Sequence, residues 1–474
     1  MMNIVLVVFD SLRRDCIGCY NDGEPGTPPW GWKVHTPNLD ALAAESLVMD
    51  RAYPESLPTL PTRRALYTGR RVYPFDRGDF NLKGDFRGAP GWGPIPEEQD
   101  TLAELLQEAG YRTGLIADVY HMFKPSKNYW RGFDQWTFLR GQEKDPSRSG
   151  PDPSEELIRH WLPEELENPA RRKFITVALK NMYDRRREED YFNARVLITA
   201  AEWLQQNRDA ERFFLVVESF DPHEPWFVPE YYRRMYDDGD GQEQVISGYA
   251  SGEMSEPLLR RTRANYSGLV TMCDRWFGHF YQTMRVLGLL ENTVLIVTTD
   301  HGHSIGDRGY VGKRGYPSAP EVFDVPIFIR HPDGPGAGKR SDMFVQHTDL
   351  AAQILQFAGL EVPEALDGRP FFEAAVAGER GHRDHVTVGW GPNVTVIDER
   401  WWLNCKVDGT GVLLYDLSAA EPLAENVADA NRGEVRRLFE AAIADAGGAI
   451  PDWLLEMAAR QEDAPGCSDL AARK

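Results

Sequence analysis

The sequence predicts an α/β protein that has one large layered domain and a smaller C-terminal α+β subdomain. Apolar runs typical of buried strands alternate with amphipathic helical stretches over most of the chain, a pattern that places helices against a central sheet. After Gly381 the pattern changes to short strands. The 474 residues also exceed what one hydrophobic core usually supports. We therefore predict a large domain over residues 1–380 and a subdomain over residues 381–474.

The elements of the large domain can be placed in order. Residues 3–9 form an apolar strand that ends at Asp10, and residues 37–52 have a helical pattern. The later predicted helices cover residues 101–109, 191–206 and 265–289, and the later strands cover residues 113–117, 213–219 and 292–299. Two polar stretches, residues 143–189 and 237–256, interrupt the alternation. We expect them to be surface excursions and candidate lids over a site.

The C-terminal subdomain is predicted from four strand patterns and one helix. The strands cover residues 386–390, 394–397, 401–407 and 412–416, and the helix covers residues 435–446. Short strands in close succession are typical of an antiparallel sheet, so we predict a small sheet, a helix and a tail.

Charge and composition restrict the function classes. The net charge of −20 opposes general nucleic-acid binding, so a local basic cluster must attract any anionic substrate. No apolar run reaches the roughly 18 residues of a membrane span, and the first residues lack the basic leader and cleavage site of a signal peptide. The five cysteines are scattered and odd in number, which argues against a disulfide framework. We therefore expect a cytoplasmic protein with no nucleic-acid or membrane partner.

Acidic and imidazole side chains follow two predicted buried strands. Asp10 ends the first strand, and Asp300 with His301 ends the strand at residues 292–299. Ligands bind at the carboxyl ends of strands in open α/β sheets, and a carboxylate there needs a compensating charge. We predict one divalent metal ion, held by these residues and the Thr59 hydroxyl; this mixed donor set suits Mn²⁺ or Zn²⁺ better than Ca²⁺, which stays an alternative. The alternative to metal binding is that these acids only cap the helices that follow the strands.

The segment from Thr59 to Arg63 reads T-L-P-T-R and lies at a predicted strand-to-helix turn. It combines a hydroxyl nucleophile with an arginine, the usual partner for oxyanions. The segment resembles the C/S-x-P-x-R signature of the sulfatase family, which lies within the alkaline phosphatase superfamily. In that family the first residue of the signature is oxidised to formylglycine. A secondary alcohol cannot give that aldehyde. Either Thr59 attacks the ester directly or the chemistry is otherwise altered; we predict direct attack and no formylglycine.

The resemblance covers nearly the entire chain and implies an alkaline phosphatase-like layered fold, with a large central sheet flanked by helices. Residues 3–20 and 294–309 are similar to the two metal-binding motifs of the family. The metal ligands that the resemblance implies are Asp10, Thr59, Asp300 and His301. Residues 1–380 would then be the catalytic domain.

The same resemblance implies the residues that contact substrate. Lys313 falls at the position of a substrate-binding lysine, and His223 lies in a D-P-H-E-P segment similar to one that carries a substrate-contacting histidine. His121 is the candidate that remains of a G-K-W-H segment, and Asn81 is a further candidate whose alternative is a turn residue. The implied catalytic residues are Thr59, Arg63, His121, His223 and Lys313. We expect His303 to be an exposed loop residue.

Two departures from the family pattern define the branch. Asp10 is followed by Ser11, where many sulfatases have a second acid. Residues 116–121 read I-A-D-V-Y-H and so lack the lysine of G-K-W-H. A metal site with a single acid at the end of the first strand is closer to the phosphonate monoester hydrolase and phosphodiesterase branch. A site that lacks the lysine should favour a substrate of different charge or shape.

These observations predict a metal-dependent hydrolase of a small anionic ester, which is a phosphodiester, a phosphonate monoester or a sulfate ester. One alternative is a phosphotransferase that passes the Thr59-bound group to an alcohol. Another is a non-catalytic protein that keeps metal and anion binding. Whether a second ion binds and whether the protein forms a homo-oligomer stay open.

Overall fold

The computed structural model describes residues 2–21, 30–76, 89–124, 127–239, 250–251 and 254–463. The strands in this part of the chain are β1 (Asn3–Phe9), β2 (Leu47–Tyr53), β3 (Arg112–Ala117), β4 (Gln135–Phe138), β5 (Phe213–Ser219), β6 (Ala250–Ser251), β7 (Thr293–Thr299), β8 (Ser304–Asp307), β9 (Tyr310–Gly312), β10 (Ile327–Arg330), β11 (Lys339–Gln346), β12 (His385–Trp390), β13 (Asn393–Asp398), β14 (Trp401–Lys406) and β15 (Leu413–Asp416).

The helices in the same residues are α1 (Pro37–Ala44), α2 (Thr59–Thr68), α3 (Leu102–Glu108), α4 (Glu155–Trp161), α5 (Pro169–Asn181), α6 (Phe192–Asn207), α7 (Glu230–Arg233), α8 (Glu256–Val286), α9 (Pro320–Phe323), α10 (His347–Phe357), α11 (Phe372–Ala377), α12 (Arg432–Asp445) and α13 (Asp452–Arg460). Among the residues described, no helix combines the length and the apolarity that a membrane crossing requires.

Eight strands form the central sheet, in the order β11-β2-β10-β7-β1-β5-β3-β4. β1 pairs in parallel with β5 and β7, and β3 pairs in parallel with β5 and β4. β10 runs antiparallel to both of its neighbours, β7 and β2. Because β1, β3, β5 and β7 run in the same direction, their carboxyl ends meet at one edge of the sheet, where open α/β sheets bind ligands.

The first strand shows why this sheet is the core of the large domain. All seven residues of β1 are buried. Val5 and Val7 pack in a cluster with side chains of α1, α6 and α8, whereas Ile4 and Leu6 pack in a second cluster with side chains of α2, α3 and α10. A strand covered on both faces is a continuous apolar run in the sequence. The predicted large sheet flanked by helices is thereby confirmed.

The predicted helix at residues 37–52 is wrong in its second half. α1 ends at Ala44, and the chain continues into β2. Leu47, Val48 and Met49 pair with β10 inside the sheet. Pairing and burial in the sheet therefore outweigh the local helical pattern. The predicted helix at residues 265–289 begins earlier, at Glu256, because the Ser255 side chain caps it.

The C-terminal part of the described chain forms the predicted small sheet. β12, β13, β14 and β15 pair antiparallel in chain order. α12 covers one face, where Val435 and Leu438 pack in a cluster with Val394 and Leu403. The domain boundary at residue 380 stays a prediction.

The polar stretch at residues 143–189 carries α4 and α5. Their apolar side chains, among them Ile158, Phe174 and Ile175, form a cluster separate from the main cores. The Trp161 ring meets the Phe227 ring edge-on, with centroids 4.9 Å apart. This stretch is therefore a packed insertion rather than a plain loop; its role as a lid stays a prediction. Most of the second predicted excursion lies outside the described residues.

Candidate active site

The carboxyl ends of β1 and β7 bring three of the four predicted metal ligands together. Phe9 and Thr299, the last residues of the two strands, lie side by side in the sheet, so Asp10, Asp300 and His301 follow at the same edge. Ligand atoms of these three buried residues all lie within 4.8 Å of one another.

The three residues fit a divalent metal ion. The Nδ1 of His301 lies 2.9 Å from the backbone oxygen of Gly302, and the buried Nε2 has no hydrogen-bond partner among the described residues. Burial holds the pKa of His301 well below its ordinary value. A neutral imidazole whose Nδ1–H donates to a carbonyl presents its Nε2 lone pair, the arrangement of a metal-binding histidine.

Ser11 fixes the orientation of both carboxylates. Its backbone N–H donates to Oδ1 of Asp300 at 3.0 Å, and its hydroxyl donates to Oδ1 of Asp10 at 2.9 Å. Its φ angle of 64° lies in the left-handed region, which is rare for serine. Strain of this kind persists where surrounding contacts impose it, often at functional sites. Ser11 thus replaces a second acid with two hydrogen-bond donors.

Arg63 lies buried between three carboxylates. Its Nη1 is 2.6 Å from Oδ2 of Asp300 and 3.1 Å from Oδ2 of Asp10, and its Nε donates to Oε2 of Glu218 at 2.9 Å. Burial acts to lower the pKa of Arg63, but these carboxylates raise it well above its ordinary value. Burial also raises the pKa of Glu218 to about 7, against the opposing effect of Arg63. Arg63 therefore braces the two acidic metal-ligand candidates.

Thr59 is the first residue of α2 and is buried. Its backbone oxygen accepts a hydrogen bond from Nη1 of Arg63 at 3.2 Å, the nitrogen that also contacts both aspartates. The preceding loop is held by the C-terminal sheet, because the Leu57 N–H donates to the Gly389 oxygen at 2.9 Å. The start of a helix is electropositive and favours an anion. Thr59 therefore lies at the electropositive start of α2, and its backbone is connected to the metal-ligand candidates through Arg63.

Lys313 and His223 form a contact on the same side of the sheet. Nζ of Lys313 is 2.6 Å from Nε2 of His223 and 3.5 Å from the Ser11 hydroxyl. The backbone oxygen of Glu224 is 2.8 Å from Nδ1 of His223. The predicted substrate-contacting pair is thus brought together, next to Ser11 and hence to the metal-ligand candidates.

Glu224 connects this pair to His303. Its Oε2 is 2.9 Å from Nε2 of His303, 3.2 Å from Nδ1 of His223 and 3.9 Å from Nζ of Lys313. Burial acts to raise the pKa of Glu224, but these three groups lower it well below its ordinary value. The expectation that His303 is exposed is wrong, since 1% of it is accessible. The Glu224 carboxylate accounts for its burial, because buried polar groups need partners.

His121 connects to the site through an acid from the insertion. Its Nε2 is 3.4 Å from Oε2 of Glu143, and Oε1 of Glu143 is 3.9 Å from Nδ1 of His223. Burial acts to raise the pKa of Glu143, yet His121 and His223 lower it to about 2. Glu143, His223 and Glu224 form a second possible group of metal ligands, but the Lys313 ammonium already supplies positive charge there. Asn81 lies outside the described residues.

Three acids of the site are not predicted from the sequence. Glu218 carries a signal, because it interrupts an otherwise apolar buried strand and therefore needs a charged partner. Glu224 lies in the segment that carries His223, where nothing in the sequence distinguishes it. Glu143 comes from the polar insertion, so only the three-dimensional structure shows that it reaches His121.

The comparisons with known proteins agree with this geometry. The Sulfatase family model matches residues 2–360. An arylsulfatase of Clostridium perfringens is 24% identical over 397 residues, covering 77% of this chain and 76% of that protein. The multifunctional alkaline phosphatase superfamily protein PehA of Trinickia caryophylli is 26% identical over 418 residues, with coverage of 77% and 76%. The crystal structure of the phosphonate monoester hydrolase of Agrobacterium radiobacter aligns with a TM-score of 0.71 at 22% identity, covering 96% of this chain and 97% of that one.

An acid–imidazole centre at the carboxyl edge of a parallel sheet, beside a helix N-terminus, defines a hydrolase of the alkaline phosphatase superfamily. The chain belongs to the Sulfatase family, and it is an ester-hydrolysing enzyme. The predicted resemblance and the predicted fold are both confirmed.

Replacing Asp300 by asparagine should remove metal and turnover together. The change removes one carboxylate from the group of metal ligands. Even the hydrogen-bond partners of metal ligands contribute about 10–100-fold to metal affinity, so the loss of metal affinity should exceed about 100-fold. Metal content after dialysis and ester turnover should be measured on the same samples. Asp342→Asn, at an exposed position of β11, is the matched control. An Asp300→Asn enzyme with wild-type metal content would refute the ligand assignment.

His347, at the start of α10, should make the protein less stable in mild acid. Its Nε2 lies 2.8 Å from the Thr299 oxygen, and burial lowers its pKa from 6.5 to about 4. Below pH 6.5 the His347 imidazole binds a proton in the unfolded chain but not in the folded protein. The stability that is present above pH 6.5 is therefore lost as the pH falls toward 4. At pH 5 the loss should be roughly 2 kcal/mol. Urea unfolding at pH 7.5 and pH 5 should show a smaller decrease for His347→Gln than for the wild type; equal decreases would refute this assignment.

Proposed function

We propose that this enzyme is a metal-dependent hydrolase of an anionic phosphorus ester, a phosphodiester or a phosphonate monoester, and that Thr59 is its nucleophile. The observation that carries the proposal is a threonine, rather than a residue convertible to formylglycine, at the start of α2 beside Arg63 and the aspartates that Arg63 binds. A sulfate ester is the remaining substrate class.

The residues of the chain suggest a role for each group in the reaction. A divalent ion bound by Asp10, Asp300 and His301 would supply Lewis-acid polarisation of an ester oxygen and lower the pKa of the Thr59 hydroxyl. The Thr59 hydroxyl loses its proton to solvent, its oxygen attacks phosphorus, a phosphoryl-threonine bond forms, and the bond to the leaving oxygen breaks. Arg63 holds the aspartates in place throughout, and the N-terminus of α2 favours the negative charge of the phosphoryl group.

The Lys313–His223 pair is suited to protonate the leaving group. The two nitrogens lie 2.6 Å apart, so a proton on Lys313 is shared with the imidazole and can be given to an alkoxide. Glu224 and Glu143 balance the positive charge of the pair. In the second half of the reaction, water attacks phosphorus, the bond to Thr59 breaks, and the pair accepts the proton that the water loses. The Thr59 oxygen regains its proton from solvent.

The chemistry of the intermediate favours phosphorus over sulfur. A formylglycine sulfate can expel sulfate through its hemiacetal, whereas a threonine sulfate ester has no such exit. A phosphoryl-threonine is open to attack by water at phosphorus. A phosphonate monoester hydrolase and a sulfatase both share this fold, so the preference rests on the chemistry of the intermediate.

Turnover of three esters with one aryl leaving group tests the proposal. The metal-reconstituted enzyme should cleave a phosphodiester or a phosphonate monoester faster than the sulfate monoester. A preference for the sulfate ester would refute the argument from the intermediate. Adding an alcohol to the reaction separates hydrolysis from phosphotransfer, because a transferase would form the new ester. Tight binding of the esters without turnover would instead indicate a non-catalytic protein.

A further inference from the structure

The insertion that carries α4 and α5 encloses a cavity of about 860 Å³ with aromatic walls. The apolar residues that line it include Leu157, Trp161, Met182, Tyr183, Tyr191 and Phe227. Ligand pockets for small molecules are typically about 300–1,000 Å³ and mostly apolar. The volume is therefore sufficient for a substituent of two fused or linked rings.

The aromatic cavity lies next to the candidate active site. A small cavity of about 20 Å³ is walled by Glu143 and His223, and it shares the side chains of Met182, Arg185 and Phe227 with the aromatic cavity. One layer of side chains thus separates the aromatic cavity from His223. Because the proposed function assigns leaving-group protonation to His223 and Lys313, this is the side on which the leaving group would extend.

Arg185 lies between the two cavities, and the acids Asp221 and Asp184 act to raise its pKa without forming an ion pair with it. Its guanidinium carbon is 4.5 Å from the ring centroid of Tyr191 and 4.6 Å from that of Phe192. Other basic residues that line the cavity have acids, since Arg148 pairs with Asp184 at 2.6 Å. Within the residues that the structure describes, no carboxylate forms an ion pair with Arg185, and burial lowers its pKa. Arg63, which is fully buried, has the opposite shift because carboxylates contact it.

We infer that the aromatic cavity binds the leaving group of the substrate, and that this group is an aromatic alcohol bearing a carboxylate that pairs with Arg185. A guanidinium stacked on two rings loses little freedom when it forms a bidentate pair with a carboxylate. The aromatic walls provide the contact area, and Arg185 provides the selection for charge. The inference rests on the proposed function for the direction of the leaving group.

Binding of the product alcohol tests the cavity without requiring turnover. Calorimetry should compare 4′-hydroxybiphenyl-4-carboxylate with the matching neutral carboxamide. The carboxylate should bind roughly tenfold or more tightly, the ratio that a hydrogen bond to a charged group commonly contributes. Arg185→Met should abolish that ratio, and Arg185→Lys should restore part of it. Arg208→Met, at an exposed position just after α6, should leave the ratio unchanged.

The outcomes separate this inference from the proposed function. Equal affinity of the two alcohols, or a preference that survives in Arg185→Met while the variant stays folded by circular dichroism, would overturn the inference. A charge preference that depends on Arg185, found in a protein that cleaves none of the three aryl esters, would support the cavity and overturn the assignment of Thr59. The corresponding biphenyl esters should show the same ratio in KM.

Discussion

Replacing Thr59 by alanine should lower the turnover of phosphorus esters by about 10⁴-fold or more, the scale on which loss of a nucleophile acts in covalent catalysis. Alanine at the first position of α2 is a good helix former, and the Thr59 side chain does not cap the helix, whose N-cap is Pro58. The fold and the Arg63 contacts should therefore persist. The measurement is kcat for the best aryl ester with saturating metal, together with the melting temperature.

Thr59→Ser is the matched variant for this prediction. Serine keeps the hydroxyl and loses only a methyl group, but it also creates the S-x-P-x-R signature, so the intact mass must show that the serine is not oxidised. With the serine intact, turnover should stay within about tenfold of the wild type. Activity retained in Thr59→Ser and lost in Thr59→Ala would identify the hydroxyl as the group that matters. Wild-type rates in Thr59→Ala would mean that the nucleophile is another group, such as water.

Replacing Arg63 by methionine should destabilise the protein by about 3–5 kcal/mol, the cost of removing one partner from a buried ionic cluster. Arg63 is fully buried, and its guanidinium lies between Asp10, Glu218 and Asp300. In the metal-free protein, methionine fills much of the volume but leaves three carboxylates close together without a cation. Their mutual repulsion is strongest when all three are ionised, so the loss should be largest at neutral and alkaline pH.

Urea unfolding at pH 7.5 should measure the effect of Arg63→Met. Arg234→Met is the control, because Arg234 is 52% exposed and pairs with Glu230 on the surface. Exposed pairs of this kind contribute about 0–1 kcal/mol. A loss for Arg63→Met no larger than that of the control would show that the carboxylates are protonated in the native protein.

The sequence predicts some elements to the residue and misses others for physical reasons. β1 and β5 are mostly apolar and are buried on both faces, and their predicted bounds agree with the structure. β2 was predicted as a helix because its pairing with β10, far away in the sequence, has no local signature. Hydrophobic periodicity depends only on the local sequence, whereas a strand is stabilised by pairing and packing with strands that are distant in the sequence.

The same division holds for the site. Asp10, Asp300 and His301 are predictable from the sequence because polar side chains at the ends of buried strands need a compensating partner. The pairing of Glu143 with His121 could not be predicted, because the acid comes from an insertion with no periodic pattern. The aromatic cavity likewise arises from the packing of that insertion on Phe227.

The stereochemical course at phosphorus tests the covalent role of Thr59 most directly. A phosphorothioate diester of single configuration should be hydrolysed in ¹⁸O-labelled water and the configuration of the product determined. Attack by Thr59 followed by attack of water makes two in-line displacements, so the account predicts overall retention. Inversion would mean a single displacement by water and would contradict the central claim.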